Sequence, residues 1–131
     1  MKQYYSKKVI EHFMNPKNFG KIKNADGIGD TKNMRCGDIM KIYIKVEKKQ
    51  GNEVIKDAKF ETLGCGHAIA TSDMICEKIK GKTLEAAKEI GYEDIKEDLG
   101  EFPQVKIHCV ALAQYALKEA IEDYYKKIKK K

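Results

Sequence analysis

Two stretches alternate between apolar and polar residues with a short turn between them. In Ile39–Glu47, Ile42, Ile44 and Val46 fall on one face and Lys41, Tyr43, Lys45 and Glu47 on the other. In Glu53–Leu63, Ala58, Phe60 and Thr62 alternate with Asp57, Lys59 and Glu61. A period of two is the signature of a strand with one buried face. The intervening "KKQGN" reads as a turn, so the pair is expected to be an antiparallel hairpin. Its mixed second face fits a sheet covered on one side only.

The rest of the chain is arranged around that hairpin. Before it, Ser6–Met14 reads as a helix, with Ser6 as its N-cap and Val9, Ile10, Phe13 and Met14 as an apolar stripe. "NPKNFG" ends that helix. "KNADGIGDTKNMRCGD" is rich in Gly, Asn and Asp and reads as an extended segment or irregular strand. After the hairpin the period changes. "GCGHAIATSDMICEKIKGK" reads as a helix with Ala68, Ile69, Ser72, Ile75, Cys76 and Ile79 inward, stopped by Gly81. Thr83–Ile90 is a short helix capped by Thr83, with Ala86, Ala87 and Ile90 on its contact side. Tyr92–Leu99 is a weaker one, and Gly100 and Pro103 break the chain. The last helix, about His108–Lys127, carries a stripe of Val110, Ala113, Leu117, Ala120, Ile121 and Tyr124. This order predicts an α+β fold: a small antiparallel three-stranded sheet with helices on one side, an N-terminal helix and a long C-terminal helix. One domain spans 1–131, with a frayed basic tail at 126–131.

Composition narrows the function. The 131 residues carry a formal charge of +6, but of 26 cationic residues only Arg35 is arginine, and the lysines are scattered among 20 acidic residues. Arginine is the usual reader of phosphate and guanine, so specific nucleic-acid binding is not expected. No apolar run approaches the roughly 20 residues of a membrane span. "MKQYYSKKVIEHF" has no signal-peptide core. The expectation is a cytoplasmic protein whose 4 cysteines are reduced thiols.

Three of those cysteines share a setting. Cys36 precedes Gly37 and Asp38 at a strand start, Cys65 lies between Gly64 and Gly66 at a strand-to-helix junction, and Cys109 follows His108 at a helix start. At helix N-termini the unpaired N–H groups and the dipole favour a thiolate, the form that binds metal or attacks sulfur. An antiparallel hairpin sets the entry from Cys36 beside the exit to Cys65. Periodicity alone does not show that the last helix delivers Cys109 to the same end. The candidate ligands are Cys36, Cys65, Cys109 and one of Asp38 or His108, a set that suits zinc or an iron–sulfur cluster. The plainer reading is three small buried residues. A thiol enzyme using His108 as base for Cys109 is disfavoured, since adjacent helical residues point about 100° apart.

At these residues the chain resembles the IscU/NifU-type iron–sulfur cluster assembly scaffolds. "YSKKVIEHFMNPKNFGKI", "CGD" at Cys36–Asp38, "GCGHAIATSDM" at Gly64–Met74, "KGKTLEAA" at Lys80–Ala87 and "VKIHC" at Val105–Cys109 match family motifs in order. The resemblance implies a scaffold and carrier, not an enzyme. On it a transient 2Fe–2S cluster is assembled from iron and persulfide sulfur and passed to apo-proteins. Partners would be a cysteine desulfurase, an electron donor such as a ferredoxin, and the recipients. Carried over, Cys36, Cys65 and Cys109 are thiolate ligands, with His108 as an adjacent ligand. Asp38 keeps the cluster labile, Cys109 accepts the persulfide, and Lys106 assists sulfur transfer. The apo site would bind zinc, and whether a loaded cluster bridges a homodimer stays open. The alternative reading is a stand-alone zinc-binding protein with a structural Cys/His/Asp site.

The chain also departs from the family pattern. His67 stands where serine is usual, Met34–Arg35 precede "CGD", and "FPQVK" at Phe102–Lys106 replaces "LPPVK". The last change puts recruitment of the dedicated Hsp70-type chaperone in doubt. No second domain is expected, which would separate the chain from a full-length NifU. Cys76 has no counterpart. It stands about three turns beyond Cys65, roughly 16 Å along the helix, and is expected to be a structural residue.

Overall fold

The structure is a computed structural model that describes residues 7–31, 39–63, 66–99 and 108–129. The elements in chain order are α1 (Lys7–Met14), β1 (Gly27–Asp30), β2 (Met40–Lys49), β3 (Asn52–Thr62), α2 (Gly66–Ile79), α3 (Leu84–Lys88), α4 (Tyr92–Leu99) and α5 (His108–Lys129). The strands form one antiparallel sheet in the order β1-β2-β3. Helices α2 and α5 lie on it and on each other. This is the α+β arrangement expected from the order of periodicities. The expected N-cap Ser6 and the breakers Gly100 and Pro103 lie outside the described residues.

The hairpin closes through Gln50 (φ 53°) and Gly51 (φ 84°), between the paired Lys49 and Asn52. Positive φ at both positions gives the type I′ twist that matches the strands. Ile42, Ile44, Ala58 and Phe60 are all fully buried, as the alternation requires. Beyond Ala58 the alternation breaks. Lys45 pairs with Asp57 but Val46 pairs with Ile55, so Lys56 is an extra residue in β3. The bulge turns Ile55 inward and leaves Lys56 exposed. Tyr43 lies on the outer face with Lys41 and Lys45, as expected, yet it is 5% exposed. Its neighbours cover it: Ile28 and Lys59 stand opposite on the two flanking strands, and its hydroxyl donates to Glu61 (2.5 Å).

β3 has β2 on one side only, and two connecting segments cover its other edge. Asn18–Gly20 bond to Phe60, and Gly81–Thr83 bridge Ile55 and Val54. An edge treated this way offers little template to another chain. Gly81 (φ 85°) ends α2 as expected, and Thr83 caps α3 by accepting from the Ala86 N–H (3.1 Å).

Some expectations needed correction. Three members of the α1 stripe, Ile10, Phe13 and Met14, are exposed, Met14 at 72%. Ala86 is exposed while Leu84, Ala87 and Ile90 carry the contact of α3. Helix α5 extends to Lys129, two residues past its expected end near Lys127, and Lys127 pairs with Asp123 one turn earlier (3.0 Å).

Candidate functional site

β2 begins at Met40 and β3 ends at Thr62, and these two residues are paired. Just beyond them the Leu63 N–H and the Thr62 hydroxyl both donate to the Ile39 carbonyl (3.1 and 2.8 Å). The chain ends that lead to Asp38 and to Gly64–Cys65 are therefore fastened together. On the β1 side, the Thr31 N–H donates to the Met40 carbonyl and the Met40 N–H to the Thr31 hydroxyl (3.1 and 3.0 Å).

Glycines in β1 determine where α5 starts. A Cβ on Gly27 would lie 2.2 Å from the Ala120 carbonyl oxygen, and one on Gly29 would lie 2.1 Å from that of Ala116. The helix backbone thus rests directly on the strand, which only glycine permits. Ala113, Ala116 and Ala120, all fully buried, give the helix its flat underside. The contacts also set direction. Gly27 pairs with Ile44 and Gly29 with Ile42, so α5 runs toward the Met40–Thr62 end as its numbering falls. From Ala116 to Cys109 is seven residues, roughly 10 Å of helix, while Ile42 to Met40 is roughly 7 Å of strand. The first turn of α5 therefore reaches the end of the hairpin. Helix α2 starts at Gly66, three residues after Leu63, at the same end. The positive ends of two helix dipoles meet there, a setting that favours thiolates and other anions.

Of the expected site residues, His108 and Cys109 form the start of α5, at the level of the backbone. His67 lies in the first turn of α2 in the same sense. Cys36, Asp38, Cys65 and Lys106 lie outside the described residues, as do Met34, Arg35 and Phe102–Val105. Among the described residues no group of three or more His, Cys, Asp or Glu side chains could hold a metal ion. Cys76 is fully buried within α2. Burial, reinforced by the Asp73 carboxylate, pushes its thiol well above the ordinary range. It is packed in the core, the structural residue expected.

An open hollow of about 270 Å³ adjoins the fastened ends, lined by Phe19, Ile39, Lys41, Glu61, Thr62 and Leu63. Leu63 is 85% exposed, Phe19 52% and Ile39 51%. A second group, which the sequence did not reveal, is a buried polar cluster on α2. Asp73 is fully buried and accepts from the Asn18 N–H (2.9 Å) and side-chain amide (3.0 Å), with His12 Nδ1 2.6 Å from its other oxygen. The Asn18 amide also donates to Glu77 (2.9 Å), holding that carboxyl below its usual range against the opposing effect of burial. Lys80 donates to the Asn18 side-chain oxygen. The available signal was weak: three polar residues in a row, Thr71–Asp73, in a helix buried on more than one side.

The fold is thus a small α+β domain whose hairpin end gathers two helix starts, at junctions that carry cysteine in the sequence. The family described as the NifU-like N terminal domain matches residues 4–131, and the chain belongs to it. It is thereby one of the IscU/NifU-type iron–sulfur cluster assembly scaffolds, as its motifs imply. It is 51% identical over 123 residues to the iron–sulfur cluster assembly scaffold protein IscU 1 of Archaeoglobus fulgidus, covering 94% of this chain and 78% of that one. It is 48% identical over 126 residues to the IscU scaffold of Escherichia coli K12, covering 94% and 95%. Among solved structures it is similar to the N-terminal part of a nitrogen-fixing NifU-like protein from Brucella abortus. That TM-score is 0.65 at 21% identity, over 95% of this chain and 96% of the other, a likeness of fold.

Proposed function

We propose that the chain assembles a 2Fe–2S cluster from iron and persulfide sulfur and hands it to apo-proteins. The observation that carries the reading is the convergence of the α2 and α5 starts on the fastened hairpin end, in a chain with IscU relatives. Cys36, Cys65 and Cys109 are the thiolate ligands, and Asp38 or His108 takes the fourth position. A carboxylate or imidazole holds iron less tightly than a fourth thiolate would, which suits a product that must leave. The Cys109 thiolate attacks the outer sulfur of a persulfide on a cysteine desulfurase and releases the donor's thiolate, with Lys106 assisting. Two further electrons per sulfur, from a donor such as a ferredoxin, reduce it to sulfide. The apo site also takes zinc, and the work belongs in a reducing, cytoplasmic compartment.

The test is anaerobic reconstitution of the apo-protein with iron, cysteine, a reductant and a cysteine desulfurase. Visible charge-transfer absorption is expected, and Cys36→Ser, Cys65→Ser and Cys109→Ser each abolish it. Stoichiometric zinc that does not exchange, with no colour, would sink the reading. Asp38→Ala is expected to lengthen the life of the cluster in air, and an unchanged decay rate would remove Asp38 from its role.

A further inference from the structure

Asn18 bonds in two directions. Its N–H and side-chain amide donate to the buried Asp73 carboxylate, and its carbonyl accepts from the Phe60 N–H on the outer edge of β3 (2.9 Å). Two residues on, the Gly20 N–H donates to the Phe60 carbonyl (2.8 Å). Phe19, between them, stands edge-on against Phe60 with ring centroids 5.5 Å apart, and forms a wall of the hollow beside Ile39 and Leu63. Upstream, His12 reaches the other oxygen of the same carboxylate. One side chain of α2 therefore holds both the end of α1 and the strap that covers β3.

Beside Asp73, Glu77 and Lys80 bond the Asn18 side chain, so the fastenings of that segment to α2 and its end are largely polar. Ile10, Phe13 and Met14 are each 40% exposed or more, so these side chains gain only part of what full burial would return. A unit secured by a few polar contacts and little buried surface opens ahead of the whole molecule. We propose that α1 and the chain through Gly20 form a latch closed by Asp73. When it opens, Phe19 leaves the edge of β3 and the hollow beside the hairpin end loses that wall. The opening stands on the contacts alone; its relevance to cluster handling rests on the scaffold reading.

Amide hydrogen exchange across low urea concentrations, on the unmodified chain, tests it. The amides of α1, Asn15, Gly20 and Phe60 are expected to share one opening equilibrium and one urea slope, both smaller than those of β2. Asp73→Ala is expected to speed exchange at all of these sites together, roughly ten- to a hundredfold, and to leave β2 slower by a wide margin. Phe60 exchanging with β2 while α1 opens alone would overturn the coupling. Exchange of α1 only in step with β2 would overturn the latch. Neither outcome depends on whether a cluster can be assembled.

Discussion

Helix α5 meets β1 backbone to backbone at Gly27 and Gly29; helix α1 lies on α2 with a carboxylate between them. At the first contact the Ala116 and Ala120 carbonyls meet bare glycine backbone, and the apolar face of α5 is buried from Val110 to Tyr124. At the second, fully buried Asp73 bonds His12 and Asn18 while Ile10, Phe13 and Met14 of α1 are partly or largely exposed. Close packing resists displacement over its whole area, because every atom that moves loses neighbours. A polar clamp is strong but local, and water can replace its partners once it opens. The same small domain thus has a helix built to stay and a helix built to leave.

Substitutions can break or sharpen that contrast. Gly29→Ala should have the largest effect, because its Cβ would fall on helix backbone that cannot rotate away. A loss of about 3 kcal/mol or more is expected in urea unfolding, and a near-neutral result would mean that α5 does not rest there. Leu117→Ala, at a buried position on α5, should cost about 3 kcal/mol. Met14→Ala, on exposed α1, should cost about 0.5 kcal/mol or less. Equal losses in the two variants would erase the difference between the helices.

Alkaline pH probes the margins of the sheet. Tyr43 is pushed up to about 12 by burial and by its hydrogen bond to Glu61, and Tyr124 to about 12 by burial and its bond to Glu53. The unfolded tyrosines ionise near their ordinary value of 10.0. The unfolded state therefore gives up its protons first, and stability is full below pH 10 and falls between about 10 and 12. Tyr43→Phe and Tyr124→Phe should each flatten that fall, as followed by circular dichroism; an unchanged profile would place the loss elsewhere. A small effect of opposite sign is expected at the hairpin turn, away from both helices. Gln50→Asn, better suited to the positive φ there, should add about 0.5 kcal/mol.

Local rules made much of this fold readable. Alternation gave the hairpin, and Gly81 and Thr83 marked the stop and start of neighbouring helices. The bulge at Lys56 was not readable, because Val54 and Ile55 are both apolar and fit either register. The burial of Tyr43 depends on what stands across two strands, which no window of sequence contains. The same holds for Asp73, whose partners His12 and Asn18 are 61 and 55 residues away. At the candidate site the residue types were legible from their junctions and motifs. The meeting of α5 with the hairpin end was not, since it depends on Gly27 and Gly29 matching alanines some 90 residues later.

The glycine seat has a mechanical consequence. Helix α5 has 22 residues, a rod of roughly 33 Å, and it is pinned near its middle at Ala116 and Ala120. Its starting turn lies about 12 Å from that seat. A tilt of 5° about that pivot would swing the backbone of His108 by about 1 Å, comparable to the misplacement that spoils ligand geometry. Two glycines of β1, set well behind that turn, aim it.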